Sequence, residues 1–572
     1  MSLVSLQRRL QPGPAPAPRA PELLMQPQQL AALQPSRLSA SRALMVRAIR
    51  ERWSIRRLQW SIDEKSRGTA LYRIETPDRV FDFPVYSFEY RPEGRTGRII
   101  GRAWDMMAAL IDGPATPQDI AWTAQELPKL YHGRATANTL VWCRSNRSSR
   151  AFDHTVEALA QGRQPDIAEI GQVCYLMRNT GLDGNGTFGT ITYRAIAADH
   201  PLAAPLAAQM LCAYMMRVFA MDLVHHLARA KAPRAVELDP RIARYLGVGN
   251  GSALGLVLFV NNHPRLVDRW LSARESAIVA AQSLQGQAAR QGMERLASLL
   301  ARASRFRSQD RMLYEVFAPS DRIGRELADV ERRVRGLHSD PAAMSATFPL
   351  AQLTHNLPAS VHPETVETLL SSMIELVPTV ADDLGTTLAV DEEFTTQPSM
   401  RIAQLREILH TEYAWAFAMD LAHPSARRYV WYKSQNAEEP RRGPVEEVDD
   451  VFNLGLDLPG LVQALDRALA GCGAKASVAR FLLAHPQYRA ITARVQSLRG
   501  LAYHSPHMNM MADDFVPVHI VRMMNVALHG IDKTRDFLGR NLRGVLYHGA
   551  PLPEDIARGT DLDWFHPEEP AC

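Results

Sequence analysis

The chain lacks any strong excess of one charge. Lys plus Arg is 65 against 61 Asp plus Glu, a formal charge of +4 over 572 residues. Nucleic-acid binders carry a basic face to meet phosphates, so no nucleic-acid partner is expected. Paired cysteines are also missing. Cys143, Cys174, Cys212, Cys472 and Cys572 are scattered without a CxxC pair, which excludes a disulfide framework and a zinc-finger pattern. That usage fits a reducing, cytoplasmic compartment. No clean apolar run with a small-residue cleavage site occupies the first forty residues. Long uninterrupted apolar runs are missing too. The most membrane-like stretch, 206–224, contains Gln209, Arg217 and Asp222, so it reads as a buried helix and no transmembrane segment is expected. A Walker A lysine loop, a GxSxG elbow, an HExxH pair and an EF-hand loop are all absent. The common nucleotide hydrolases, α/β-hydrolases and zinc proteases are therefore set aside.

What charge there is sits unevenly. Residues 1–60 hold ten Arg, no Lys and two Glu, a net +8 that leaves the rest of the chain at −4. Residues 1–40 also carry seven prolines, so 1–38 reads as a disordered Pro/Arg-rich arm that cannot bury enough apolar surface to offset its ordering entropy. From Ser39 to Trp60 the positions of Leu44, Met45, Ala48, Ile49 and Trp53 predict a basic amphipathic helix, docked on the body or turned to a membrane surface. In composition the Arg-rich start also resembles an organellar transit segment.

Beyond the arm, 68–90 alternates in a way that predicts a hairpin turning at Pro77-Asp78. Further strands are expected at 139–144 and 428–433. The two share the words Val141-Trp142 and Val430-Trp431, and one small sheet should unite them with the hairpin. Nearly everything else reads as helix, including 165–179, 201–231 and 264–306. The expected fold is mainly α: a large multi-helix body with a small antiparallel β-sheet. Its divisions are the arm (1–38), a small α+β region (39–145), a helical region with glycine loops (146–310) and a second helical region with a histidine-rich end (311–572).

Four constellations could carry chemistry. Two loops share Gly-Asn-Gly followed by a hydroxyl residue, Gly184-Asn185-Gly186-Thr187 and Gly249-Asn250-Gly251-Ser252. Glycine permits close approach of backbone N–H groups to an anion, with Thr187 or Ser252 as a further donor and Arg178 just upstream. The competing reading makes them helix C-caps and turns. Gly184, Gly186 and Gly189 also spell GxGxxG, but a dinucleotide fold needs a preceding strand and an acid about 20 residues on. The preceding segment reads as helical and no acid stands at that distance.

A second constellation is a repeated word, Phe219-Ala-Met-Asp222-Leu-Val-His225 and Phe417-Ala-Met-Asp420-Leu-Ala-His423. Asp and His three apart share a helix face. Each pair, Asp222/His225 or Asp420/His423, suits an acid–base dyad, half of a two-metal site, or plain local hydrogen bonds. Cations beside the Val-Trp words, notably Arg144 and Lys433, suit a carboxylate or phosphate or a self-paired surface. Finally, six of the eighteen histidines follow residue 500, among them His504, His507 and His519, in no defined metal motif.

These residues point first to a soluble metabolic enzyme acting on a small carboxylate or phosphate by acid–base chemistry of lyase or isomerase type. A helical metal-dependent oxidase or oxygenase and a non-catalytic helical interaction protein are the alternatives. The cofactor is unknown, no metal ligand is assigned, and a homo-oligomer is possible.

Overall fold

In the computed structural model the described residues are 15–89, 104–127, 138–148, 150–179, 196–197, 199–250, 263–309, 320–389, 393–418, 420, 422, 458–504, 524, 527–533, 544–560 and 563–570. Nine strands join in one sheet: β1 (Ser54–Ile62), β2 (Gly68–Glu75), β3 (Val80–Ser87), β4 (Met106–Asp112), β5 (Thr139–Arg147), β6 (Tyr175–Asn179), β7 (Gly247–Asn250), β8 (Asp532–Lys533) and β9 (Gly544–Leu546). Their spatial order is β1-β2-β3-β4-β5-β6-β7-β9-β8, so the two-residue β8 is an edge added to eight main strands. All neighbours are antiparallel except β6 and β7, which run parallel.

The expectation of a mainly α protein with a small antiparallel sheet is thus corrected. The fold is mixed α/β, and its sheet is large, mixed and curled into a half-barrel; it is not all-alpha. The physical cause is legible in the missed strands. Met106-Met-Ala-Ala-Leu-Ile and Tyr175-Leu-Met are covered on both faces, so no polar alternation marks them. Their Ala, Met and Leu residues also favour helix, a preference that packing overrides here. The hairpin appears as expected, with Glu75 opposite Val80 across its turn. The helix foreseen over 39–60 stops at Arg50, and β1 follows it. The 165–179 stretch divides into a short helix, Ile167–Ile170, and strand β6. The 428–433 segment lies outside the described residues.

The helix Ala207–Lys231 fills the hollow of the half-barrel. It is the one described helix long and apolar enough to cross a bilayer, yet 89% of its most apolar window is buried inside the protein. Its Cys212 meets Cys143 of β5, and its Phe219 packs on Tyr72 of β2 and Trp60 of β1. Arg217, buried at mid-helix, donates to the carbonyls of Leu246, Ala243, Ala550 and Pro551 at 2.7–3.0 Å. A fully desolvated guanidinium is tolerable here because carbonyl oxygens take up its donors. The curl is tight enough that Arg147 on β5 donates to Ser66 in the β1–β2 turn. The outer face of the sheet is covered by the helix Pro117–Glu126, beneath which Tyr86, Met107, Ala109 and Trp142 form a second, smaller core.

The disordered-arm expectation is corrected for residues 15–38, while residues 1–14 lie outside the described residues. Residues 15–38 pack onto the helical half of the protein. Pro21 and Pro27 sit at the first position of short helices, where proline's missing N–H costs nothing. Leu24, Met25, Leu30 and Leu33 are wholly buried in the main core. Arg19 joins Arg274, Glu275 and Glu367 in a buried four-charge cluster. Arg37 pairs with Asp382 at 2.6 Å. One continuous apolar core runs from Leu24 to Trp564.

Candidate functional site

The strand that precedes the first glycine word in the chain pairs with the strand that opens the second. Strand β6 leads into the first and β7 forms the start of the second, and their parallel register sets Arg178 beside Gly249 and Asn179 beside Asn250. The segment before the first word is therefore a strand, where the sequence reads as helix. Asn185, Gly186, Thr187, Gly251 and Ser252 lie outside the described residues. Gly247 and Gly249 have a structural job of their own. A Cβ on Gly249 would stand 2.8 Å from the Tyr175 ring, and one on Gly247 would stand 2.2 Å from the Leu546 carbonyl oxygen. The sheet itself requires these two glycines.

Arg178 and Arg144 come together. Asn146 of β5 pairs with Arg178 of β6, and Arg144 is two residues from Asn146 on the same, outer face. Diagonal neighbours of this kind are about 7–8 Å apart, within reach of long side chains. Both arginines are buried. Arg144 lies over the indole faces of Trp142 and Trp104, at 4.9 and 5.6 Å from the ring centroids. Lys433 lies outside the described residues.

The Asp-His words do not converge. Asp222 accepts a 2.8 Å hydrogen bond from the Tyr72 hydroxyl and pairs with Arg57 at 3.2 Å. Burial, and then the charge of Asp222, push the Tyr72 phenol well above its usual range, so it stays protonated and donates. His225 turns elsewhere: its Nε2 accepts the backbone N–H of Leu238 at 3.1 Å. Burial lowers its pKa and keeps the imidazole neutral. No hydrogen bond joins Asp222 to His225. Asp420 follows the short helix Ala414–Phe417, is exposed, and accepts the backbone N–H of Ala422 at 2.9 Å. His423 lies outside the described residues. The first word thus lies within a long buried helix, while Asp420 of the second follows the end of a short one.

Of the late histidines, His504, His529, His548 and His566 are described, and all four are buried. Burial is the main cause that lowers the imidazole of His548 to about 3 and that of His566 well below the usual value. His548 packs edge-on to Tyr245, and His566 lies against Phe306 and Phe565. Among the described residues no group of three or more His, Cys, Asp or Glu is placed to hold a metal ion.

Sequence reasoning missed the polar residues on the inner face of the same strands. Ser87, Met106, Ser145 and Asn179 lie in one row across β3 to β6. The Ser87 and Ser145 hydroxyls and both amide atoms of Asn179 are buried with no hydrogen-bond partner. The available signal was a small polar residue ending an apolar run, as in Val-Trp-Cys-Arg-Ser145 and Tyr-Leu-Met-Arg-Asn179. The fold and these strand ends define a mixed α/β protein with a helix-filled half-barrel and a polar rim. No family model, curated protein or solved structure matches the chain.

Proposed function

We propose that the protein is an enzyme that holds a small carboxylate or phosphate at the ends of β5, β6 and β7. Proton transfer of lyase or isomerase type is its class of chemistry, since such reactions need no cofactor motif. The observation that carries this reading is the register of the parallel pair, with Asn179 beside Asn250. The second Gly-Asn-Gly word opens within β7, the first follows β6 in the chain, and ligands of open sheets collect beyond the carboxyl ends of parallel strands. Arg144 and Arg178 add two guanidinium groups on one face of the neighbouring strands. Asp222 and His225 are better suited to holding the central helix against β1, β2 and the 238 segment than to a proton relay. Buried free thiols at Cys143, Cys174 and Cys212 fit a reducing, cytoplasmic setting.

A thermal-shift panel of inorganic phosphate, phosphomonoesters, dicarboxylates and tricarboxylates tests the proposal. At least one class should raise the melting temperature of the wild type, and Gly186→Val and Gly251→Val should each abolish that rise. A panel without any response, or a response that both variants keep, would remove the proposal and favour a non-catalytic interaction protein.

A further inference from the structure

Asn179 and Ser145 face each other directly across β5 and β6. Asn179 is 1% exposed and Ser145 is fully buried. The amide nitrogen and oxygen of Asn179 and the hydroxyl of Ser145 have no partner, and they do not bond to one another. Three orphaned polar atoms in one cross-strand pair are costly, because burial has taken their water and nothing has replaced it. Ser87, in the same row with Met106 between, adds a fourth. Parity along β5 places Ser145 on the face of Cys143, which meets Cys212 of the central helix. The row therefore lies on the inside of the half-barrel, where β6 ends at Asn179.

The chemistry of these atoms is uncharged. Asn179 offers a donor and an acceptor side by side, and a serine hydroxyl offers either role. The inner-face cation on β5, Arg147, is directed to the Ser66 hydroxyl and the Phe152 ring. Among the described residues no cation is shown in contact with Ser145 or Asn179, and a carboxylate desolvated there without one is the expensive case. We infer that Ser145 and Asn179 form a seat for a carboxamide-type group of a small ligand, an amide, lactam or cyclic imide whose N–H and C=O pair with those of Asn179. The inference rests on atoms other than those behind the anion reading, and it stands or falls separately from it.

Calorimetric titration with nicotinamide, 2-pyrrolidone and uracil, using nicotinate and succinate as charged comparators, tests the seat. At least one amide should bind the wild type, and its acid counterpart should bind more weakly. In Asn179→Leu that affinity should fall by about tenfold or more, the loss expected for one well-made hydrogen bond to a buried partner. Asn179→Leu should melt at or above the wild type, since it removes two orphaned atoms. Ser145→Ala, which deletes a single oxygen, gives the same test if the leucine variant does not fold. The inference is overturned if no amide binds, if binding survives both variants, or if the charged comparators bind as well as the amides. It is also overturned if both variants melt below the wild type, because the polar atoms would then be satisfied in the free protein by ordered water. An amide response that persists in Arg178→Met, with no response to phosphate or carboxylates, would uphold the seat while removing the anion reading.

Discussion

Removing residues 1–38 should abolish the folded protein, and replacing Arg19 alone should cost a large part of its stability. The Arg19 guanidinium donates to Glu275 at 2.6 and 2.9 Å and also to Glu367. Arg274, wholly buried, reaches Glu367 at 2.7 Å and Glu275 at 3.3 Å. Two cations balance two anions in a desolvated cluster; burial opposes both charges, yet the charged partners outweigh it, raising the Arg19 pKa and lowering that of Glu275. Arg19→Ala leaves two buried carboxylates sharing one guanidinium, a loss of about 3–5 kcal/mol. The surface pair Arg325–Asp321, one helical turn apart, is the control: Arg325→Ala should cost about 0.5 kcal/mol or less. Truncation before Ser39 removes Arg19 together with Leu24, Met25, Leu30, Leu33 and Leu38, none more than 2% exposed. At about 1.5–3 kcal/mol for each buried side chain, that apolar loss alone is roughly 8–15 kcal/mol. Extended-chain references inflate such figures, but the stability of a whole domain is only about 5–15 kcal/mol. Soluble yield and a calorimetric melt read the outcome. A truncated chain that stays soluble with a cooperative melt near the wild-type temperature would refute the reasoning.

Other consequences are open to test. His548 and His566 are held neutral by burial beside Arg42, Arg307, Arg302 and Arg217, with Asp532 at 3.7 Å from His548. Their folded-state pKa values lie below the unfolded value, so the unfolded chain binds more protons as pH falls. Their contribution is complete above about pH 6.5 and should erode by roughly 1.4 kcal/mol per pH unit for each ring. Urea titrations at pH 7, 6 and 5 should show that slope, and His548→Phe should about halve it; equal stability at all three pH values would contradict it. Glycine substitutions should split by site. Gly249→Ala meets the Tyr175 ring and should cost about 1–3 kcal/mol. Gly336→Ala, on an exposed helix face with nothing within 4 Å, should stabilise by about 0.5–1 kcal/mol. Chemical denaturation of the two variants gives both signs, and a reversal of either would count against the packing described.

Sequence alone was informative where one physical rule acted undisturbed. The β2–β3 hairpin was legible because Leu71, Arg73 and Glu75 alternate with Ala70, Tyr72 and Ile74, and a Pro-Asp turn closes them. Strands β4 and β6 were hidden because burial on both faces erases alternation and leaves helix-favouring residues in place. The arm misled for a related reason. Its prolines suggested disorder, yet two of them start helices, and the arm finds a partner surface some 230–340 residues away that local composition does not reveal. For the candidate site, the glycine words and Arg178 were visible as a motif, whereas the parallel pairing that sets Arg178 beside Gly249 has no local signature. The Asp-His words were visible too, but their partners, Tyr72 and the Leu238 amide, come from distant segments.

The central claim is that a small molecule is held where β5, β6 and β7 end. A crystal structure of the protein grown with the compound that gives the largest thermal shift tests it most directly. The account predicts density at the ends of these strands, within hydrogen-bond distance of at least one of Arg144, Ser145, Arg178 and Asn179. Density confined to another place, such as the open surface hollow of about 580 Å³ between Thr76 and Pro114, would contradict it.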